Sequence, residues 1–245
     1  MPVRRWTDLG SNPNTPEARD FRRRTIAQAW RPPVESRMEY LTQLAAGKRV
    51  LDIGVVGHSP DFYEDGQWMH EAIVRVAKSC LGVDVIPDEI AKLQARGFNV
   101  MLRDVTAEPL EEQFEVIICG EVIEHLGNPA GLFKAAMKML ERGGRLVITT
   151  PNPYSDSNIR LAIQGKFEES VDHVTLLVPS GIAEFAEREG LVLESYRGVS
   201  GRRLKKFRNR LRYQWALKRY GGPATDRFCR RLMYECVRPA DRAGT

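Results

Sequence analysis

The stretch Val50-Leu-Asp-Ile-Gly-Val-Val-Gly57 decides the fold. Apolar residues surround a single acid, and glycines follow at positions 54 and 57. So short and apolar a run, stopped by glycine, predicts a buried strand ending in a turn where backbone comes close to a ligand. A second acid closes a later run, Leu81-Gly-Val-Asp84. Acids at the tips of neighbouring strands suit the hydroxyls and amine of a nucleoside-bearing cofactor. From Asp52 to Asp84 is 32 positions, longer than the ~20 of a plain dinucleotide fingerprint. The extra length is a loop from His58 to His70, rich in turn formers and aromatics. It should hang over the carboxyl edge of the sheet, where ligands bind in such folds. There Trp68, His58 and His70 either cover the cofactor or pin the loop.

Outward from this stretch, strands alternate with helices. A helix carrying Met38, Leu41 and Leu44 on one face starts after Pro32-Pro33 and stops before Gly47. Ile73, Val76, Ala77 and Cys80 have helical spacing. A helix from Pro87 stops at Gly97, and a strand from Asn99 leads to Asp104. Phe114-Glu-Val-Ile-Ile-Cys119 is a strand, and a helix from Pro129 follows with Asn128 at its N-cap. Arg145 to Thr150 is a further strand, broken by Pro151-Asn-Pro153. A helix burying Ile182, Phe185 and Ala186 stops at Gly190, and strands at 191–196 and 231–237 close the chain. The order predicts an α/β fold with a doubly wound, mostly parallel seven-stranded sheet, finished by an antiparallel edge strand. Residues 1–31, with Trp6 and Trp30 among seven arginines, read as an N-terminal arm. The arm either packs its tryptophans on the domain of residues 32–245 or serves as a lid.

The 245 residues are enough for one α/β domain with a full core. No apolar run reaches the ~20 residues of a membrane span. Cys80, Cys119, Cys229 and Cys236 lack C-x-x-C spacing and read as reduced structural thiols of a cytoplasmic protein. Charge is uneven. There are 37 basic and 32 acidic residues, but the segment 198–222 holds nine bases and no acid. Without that segment the balance is 28 to 32, so basicity is a local feature. Leu204, Phe207, Leu211 and Trp215 space out there as one stripe of a basic amphipathic helix. Such a helix either packs its stripe over the sheet edge or docks onto anionic lipid or nucleic-acid phosphates. With no RNA-binding module or stacking platform evident, a membrane surface is the preferred partner and nucleic acid the lesser one.

Taken together, Val50-Leu-Asp-Ile-Gly54, Leu81-Gly-Val-Asp84, Arg103-Asp104-Val105, Phe114 to Glu121 and Leu140-Glu-Arg-Gly-Gly-Arg-Leu-Val-Ile148 resemble, in order, the motifs of class I S-adenosylmethionine (SAM)-dependent methyltransferases. The resemblance implies SAM as cofactor, contacted by Asp52, Gly54, Gly57, Asp84, Asp104, Val105 and Gly120. One departure concerns the first loop, where the usual G-x-G-x-G is Gly54-Val-Val-Gly57-His58. A Cβ at Val56 narrows the backbone approach.

Glu121-Val-Ile-Glu124-His125, followed later by His173, is similar to the pattern of the ubiquinone-biosynthesis O-methyltransferases and of small-RNA 3′-terminal 2′-O-methyltransferases. In the latter the matching positions hold a divalent metal. The resemblance therefore implies Glu121, Glu124, His125 and His173 as ligands of Mg²⁺ or Mn²⁺. Oxygen and imidazole donors suit such an ion, and it would acidify an attacking hydroxyl. Without metal, His125 or His173 would serve as general base, and Glu124 would line the acceptor site or complement the following helix. The expected activity is O-methylation of a small sugar, polyol or phenol, lipid-linked or free, in the cytoplasm or at the inner membrane surface. The competing expectations are an RNA ribose 2′-O-methyltransferase and a non-catalytic scaffold.

Overall fold

The computed structural model describes residues 5–57, 63, 68–166 and 170–240. Seven strands form one sheet: β1 (Arg49–Ile53), β2 (Ser79–Asp84), β3 (Val100–Leu102), β4 (Phe114–Gly120), β5 (Leu140–Pro151), β6 (Val192–Val199) and β7 (Arg231–Val237). Around it lie α1 (Pro16–Ala29), α2 (Arg37–Ala45), α3 (Met69–Val74), α4 (Pro87–Ala95), α5 (Pro129–Met139), α6 (Asp156–Ile163), α7 (Pro179–Arg188) and α8 (Phe207–Tyr220). The strand order is β3-β2-β1-β4-β5-β7-β6, with β1 to β5 parallel and β7 antiparallel to both of its neighbours. This is the doubly wound, mostly parallel sheet expected. The order reverses between β1 and β4, and ligands of such sheets bind at that switch point.

The antiparallel strand lies one place in from the edge. Leu232 to Cys236 are all buried, as a strand covered on both faces requires. By contrast β6 mixes buried residues with half-buried and exposed ones, Glu194 among them, and is suited to the border. Its outer side is covered in turn by residues 30–34, through bridges Trp30↔Tyr196 and Val34↔Val199.

Local chemistry sets the helix starts. The hydroxyls of Thr15, Ser36 and Ser155 accept from the N–H groups of Ala18, Glu39 and Asn158, contacts worth ~1 kcal/mol each. Hence α2 begins at Arg37 and not at the prolines. Asn128 stands at the N-cap of α5 without a side-chain capping bond. The helical spacing through Cys80 overran, since α3 ends at Val74 and Cys80 belongs to β2, paired with Val50. A short apolar run does not distinguish the two periods, and the β1–β2 register settles the matter by bringing Asp84 to the strand tip. The arm is fastened down: Trp6 Nε1 donates to Glu184 at 2.9 Å, Arg22 pairs with Glu184 and Glu187 at 2.6 and 2.7 Å, and Trp30 Nε1 donates to Asp226 at 3.1 Å.

Candidate active site at the carboxyl edge of the sheet

At its end β1 turns through Gly54, whose φ is +82°, and a Cβ there would stand 2.1 Å from Val122 Cγ2. Glycine is therefore required twice, for its backbone and for the packing of this loop on the turn after β4. Both carboxylate oxygens of Asp84 hold backbone: Oδ2 accepts from Val56 N–H at 2.9 Å and Oδ1 from Val85 N–H at 2.7 Å. Val55 and Val56 pack with Trp68, Ile90, Leu93 and Val100. The unusual valines thus find apolar neighbours beside α4.

Asp52 is buried, and its Oδ2 lies 2.9 Å from Nδ1 of the equally buried His70. Trp68 Nε1 donates to Val55 O at 2.8 Å. Trp68 and His70 are therefore held against β1 and the residues just after it, whereas His58 lies outside the described residues. Gly57 ends the loop, half-buried. At the tip of β3, Asp104 Oδ1 accepts from Thr106 N–H, Thr106 Oγ1 and Ala107 N–H, while Val105 is buried in the main core. Gly120 ends β4 opposite Thr149.

The turn after Gly120 divides the expected ligand set. Glu121 has φ +59°, the one non-glycine residue in the left-handed region among those described. That conformation carries a cost and turns its carboxylate toward two arginines. Arg231 Nε donates to Glu121 Oε2 at 2.7 Å, and Arg37 Nη1 stands 3.4 Å from Oε1. Glu121 therefore stays apart from the other three residues. Glu124, His125 and His173 do converge, each offering a ligand atom, all within 4.8 Å of one another. The imidazoles meet edge to face at 4.8 Å between centroids.

Backbone bonds make this meeting possible. Val174 and Thr175 N–H donate to Glu124 O at 2.9 and 3.2 Å, and Thr175 Oγ1 donates to Ile123 O at 3.2 Å. Glu124 is buried, with Oε2 accepting from Thr150 Oγ1 at 3.0 Å and Oε1 without a hydrogen-bond partner. Burial holds its carboxyl above the usual range. His125 Nδ1 lies 3.2 Å from Asp172 Oδ2, an arrangement that orients the ring's other nitrogen.

A family model described as a methyltransferase domain matches residues 21–196. The chain belongs to the SAM-dependent methyltransferases. Two ubiquinone biosynthesis O-methyltransferases are among its relatives. The one from Xylella fastidiosa is 30% identical over 198 residues, covering 72% of this chain and 73% of the relative. The one from Aeromonas salmonicida is 26% identical over 180 residues, covering 66% and 72%. The crystal structure of magnesium protoporphyrin IX methyltransferase from Synechocystis, with bound S-adenosylhomocysteine, shares the fold at a TM-score of 0.55 and 13% identity, covering 82% of this chain and 81% of that one.

In this methyltransferase several residues at the edge carried no sequence signal. Arg37 lies at the start of α2, its Nη1 3.2 Å from Thr149 Oγ1 and 3.9 Å from where a Cβ of Gly120 would stand. Burial pushes its guanidinium below the ordinary arginine value, opposed by Glu121. An arginine opening a helix matches no motif. Arg231, Thr149 and Thr150 are equally silent, and Asp172 was legible only as the neighbour of His173. The edge offers groups suited to the donor: a glycine turn after β1, an acid at the tip of β2 and a partly buried cation beside the end of β4.

Proposed function

We propose that this methyltransferase methylates a hydroxyl of a small acceptor bearing vicinal oxygens, such as a catechol or polyol. The observation that carries the reading is the convergence of Glu124, His125 and His173, with a buried carboxylate oxygen lacking a hydrogen-bond partner. Relatives named O-methyltransferases support oxygen as the nucleophile. On the donor side, the remaining lone pairs of Asp84 take the ribose hydroxyls, and Arg37 faces the donor's carboxylate. Asp52 and Gly54 fix the loop, Gly57 and Gly120 leave it room, and Asp104 with the backbone of Val105 borders the adenine.

The reaction is an in-line displacement. The acceptor oxygen forms a bond to the methyl carbon as the carbon–sulfur bond breaks, leaving the thioether S-adenosylhomocysteine. Because the sulfonium is already activated, the chain's work is positioning and acceptance of the hydroxyl proton. Without a metal ion, the imidazole of His125 or His173 takes that proton, with Asp172 steadying the His125 ring. Glu124, His125 and His173 also fit a Mg²⁺ or Mn²⁺ ion, which when bound would acidify the hydroxyl and clamp a vicinal oxygen. Glu121, held by Arg37 and Arg231, is a wall of the site in this reading.

The test is turnover of dihydroxyphenols against monohydroxyphenols with and without EDTA, beside calorimetric SAM binding. The expected result is a preference for vicinal hydroxyls and a loss of turnover in EDTA with SAM affinity unchanged. Undiminished turnover in EDTA would leave an imidazole as base without metal. Equal rates for both phenols would remove the vicinal acceptor.

A further inference from the structure

The sequence gives α8 one apolar stripe, and a stripe of that kind ordinarily faces the core. Here it does not. The helix packs through Tyr213 and Ala216 onto Phe228, and these are its buried residues. Phe207, Leu211 and Trp215 are exposed by 76%, 54% and 58%. At about 100° per residue, these three form a ridge roughly opposite the packed face. A single exposed apolar side chain is ordinary. Three in register point away from the fold, with Trp215 meeting the exposed Tyr220 ring edge to face at 5.5 Å.

The charge carried by the helix is of one sign. Arg208 and Arg219 lie along one flank and Arg210 along the other, all exposed, while Arg212 pairs with Asp156 at 3.4 Å. Residues 198–222 contain no acid at all. An apolar ridge bordered by guanidinium groups, with a tryptophan at the polar boundary, matches the interface of an anionic bilayer, with acyl chains for the ridge and phosphates for the flanks. A nucleic acid would engage the arginines and leave Phe207 and Leu211 in water.

We propose that α8 docks this methyltransferase onto membranes rich in anionic phospholipid, its Phe207–Leu211–Trp215 ridge entering the headgroup layer. The inference goes beyond the methylation reading and does not depend on which hydroxyl is modified. It has a geometric consequence for the site. The insertion leaves β6 and returns at Arg231, which pairs with Pro151 at the end of β5. Its root is therefore the carboxyl edge, and docking brings the candidate acceptor site to the lipid.

The full chain should be sedimented with vesicles of phosphatidylcholine alone, and with vesicles in which about a third of the lipid is phosphatidylglycerol. Binding is expected to be about tenfold tighter to the anionic vesicles and to weaken as salt is added. The triple substitution Phe207→Ser, Leu211→Ser, Trp215→Ser should lower binding to anionic vesicles about tenfold or more, with unchanged thermal melting and SAM affinity. Since all three side chains are exposed, this variant tests the surface without opening the core. Equal sedimentation of the variant and the parent would overturn the proposal, as would a parent that stays in the supernatant with both vesicles. Tighter binding to single-stranded or duplex RNA than to anionic vesicles would assign the basic face to nucleic acid and also overturn it.

Discussion

On the β1–β2–β3 side of the carboxyl edge, the carboxylates are answered within the chain, and His70 Nε2 is the buried ring nitrogen left without a hydrogen-bond partner. Asp84 holds two backbone N–H groups, Asp104 closes its own turn, and Asp52 and His70 are buried together. On the β4–β5 side, Glu124 keeps a buried oxygen without a hydrogen-bond partner, Glu121 sits in the left-handed region, and Val171, Val174 and Leu176 are exposed. Satisfied hydrogen bonds make a rigid, preformed surface, whereas a buried oxygen lacking one costs ~1–3 kcal/mol until a ligand supplies a partner. In the proposed reading the first side holds the donor through preformed contacts, and the second keeps its stored cost beside the acceptor.

That division can be broken most directly at His173. The substitution His173→Ala is expected to lower kcat by about 10²–10⁴-fold with SAM affinity unchanged. A matching loss of SAM binding in calorimetry would show that the halves are not separate. On the donor side, Asp84→Ala should weaken SAM binding by about 10–100-fold, while kcat at saturating SAM stays near that of the parent. A kcat loss persisting at saturation would give Asp84 a role beyond the donor.

A third expected effect concerns stability, where buried Asp226 lies against Trp30 and Tyr196 and burial pushes its carboxyl up to about 7. Between about pH 4 and about pH 7 the unfolded chain has released this proton while the folded chain keeps it, so stability falls as pH rises. The cost is complete above the folded value and amounts to on the order of 2–4 kcal/mol. In Asp226→Asn the decline between about pH 4 and about pH 7 should flatten in urea titrations. An unchanged slope would place the titration elsewhere.

The alternation that sets the sheet was legible because buried parallel strands are continuous apolar runs: Val116 to Cys119 admits no other reading once helices flank it. Site residues were legible where position along a strand fixes position in space, as at Asp84 and Gly120. They were not where one dihedral decides. Glu121 shares a motif with Glu124, yet a positive φ sends its carboxylate to Arg37 and Arg231. Arg37 itself approaches the site from 83 positions before Gly120, a distance no local pattern spans. On α8 the stripe was visible but not its direction. Periodicity shows that a helix has two faces, and only Phe228 and Tyr213 show which one the fold uses.

The seam formed by residues 30–34 along β6 has a bearing on how the chain could be shortened. Arg31 and Val34 donate to Tyr196 and Gly198, and Ser200 donates back to Val34. Cutting after residue 34 would leave the carbonyls of Tyr196 and Gly198 and the Ser200 N–H unanswered along the border strand, an invitation to self-association. It would also empty the slot where the indole of Trp30 lies on Gly222, too tight for a Cβ. The first thirty-odd residues behave as a hem sewn to the fabric: unpicked, the cloth frays from that side first.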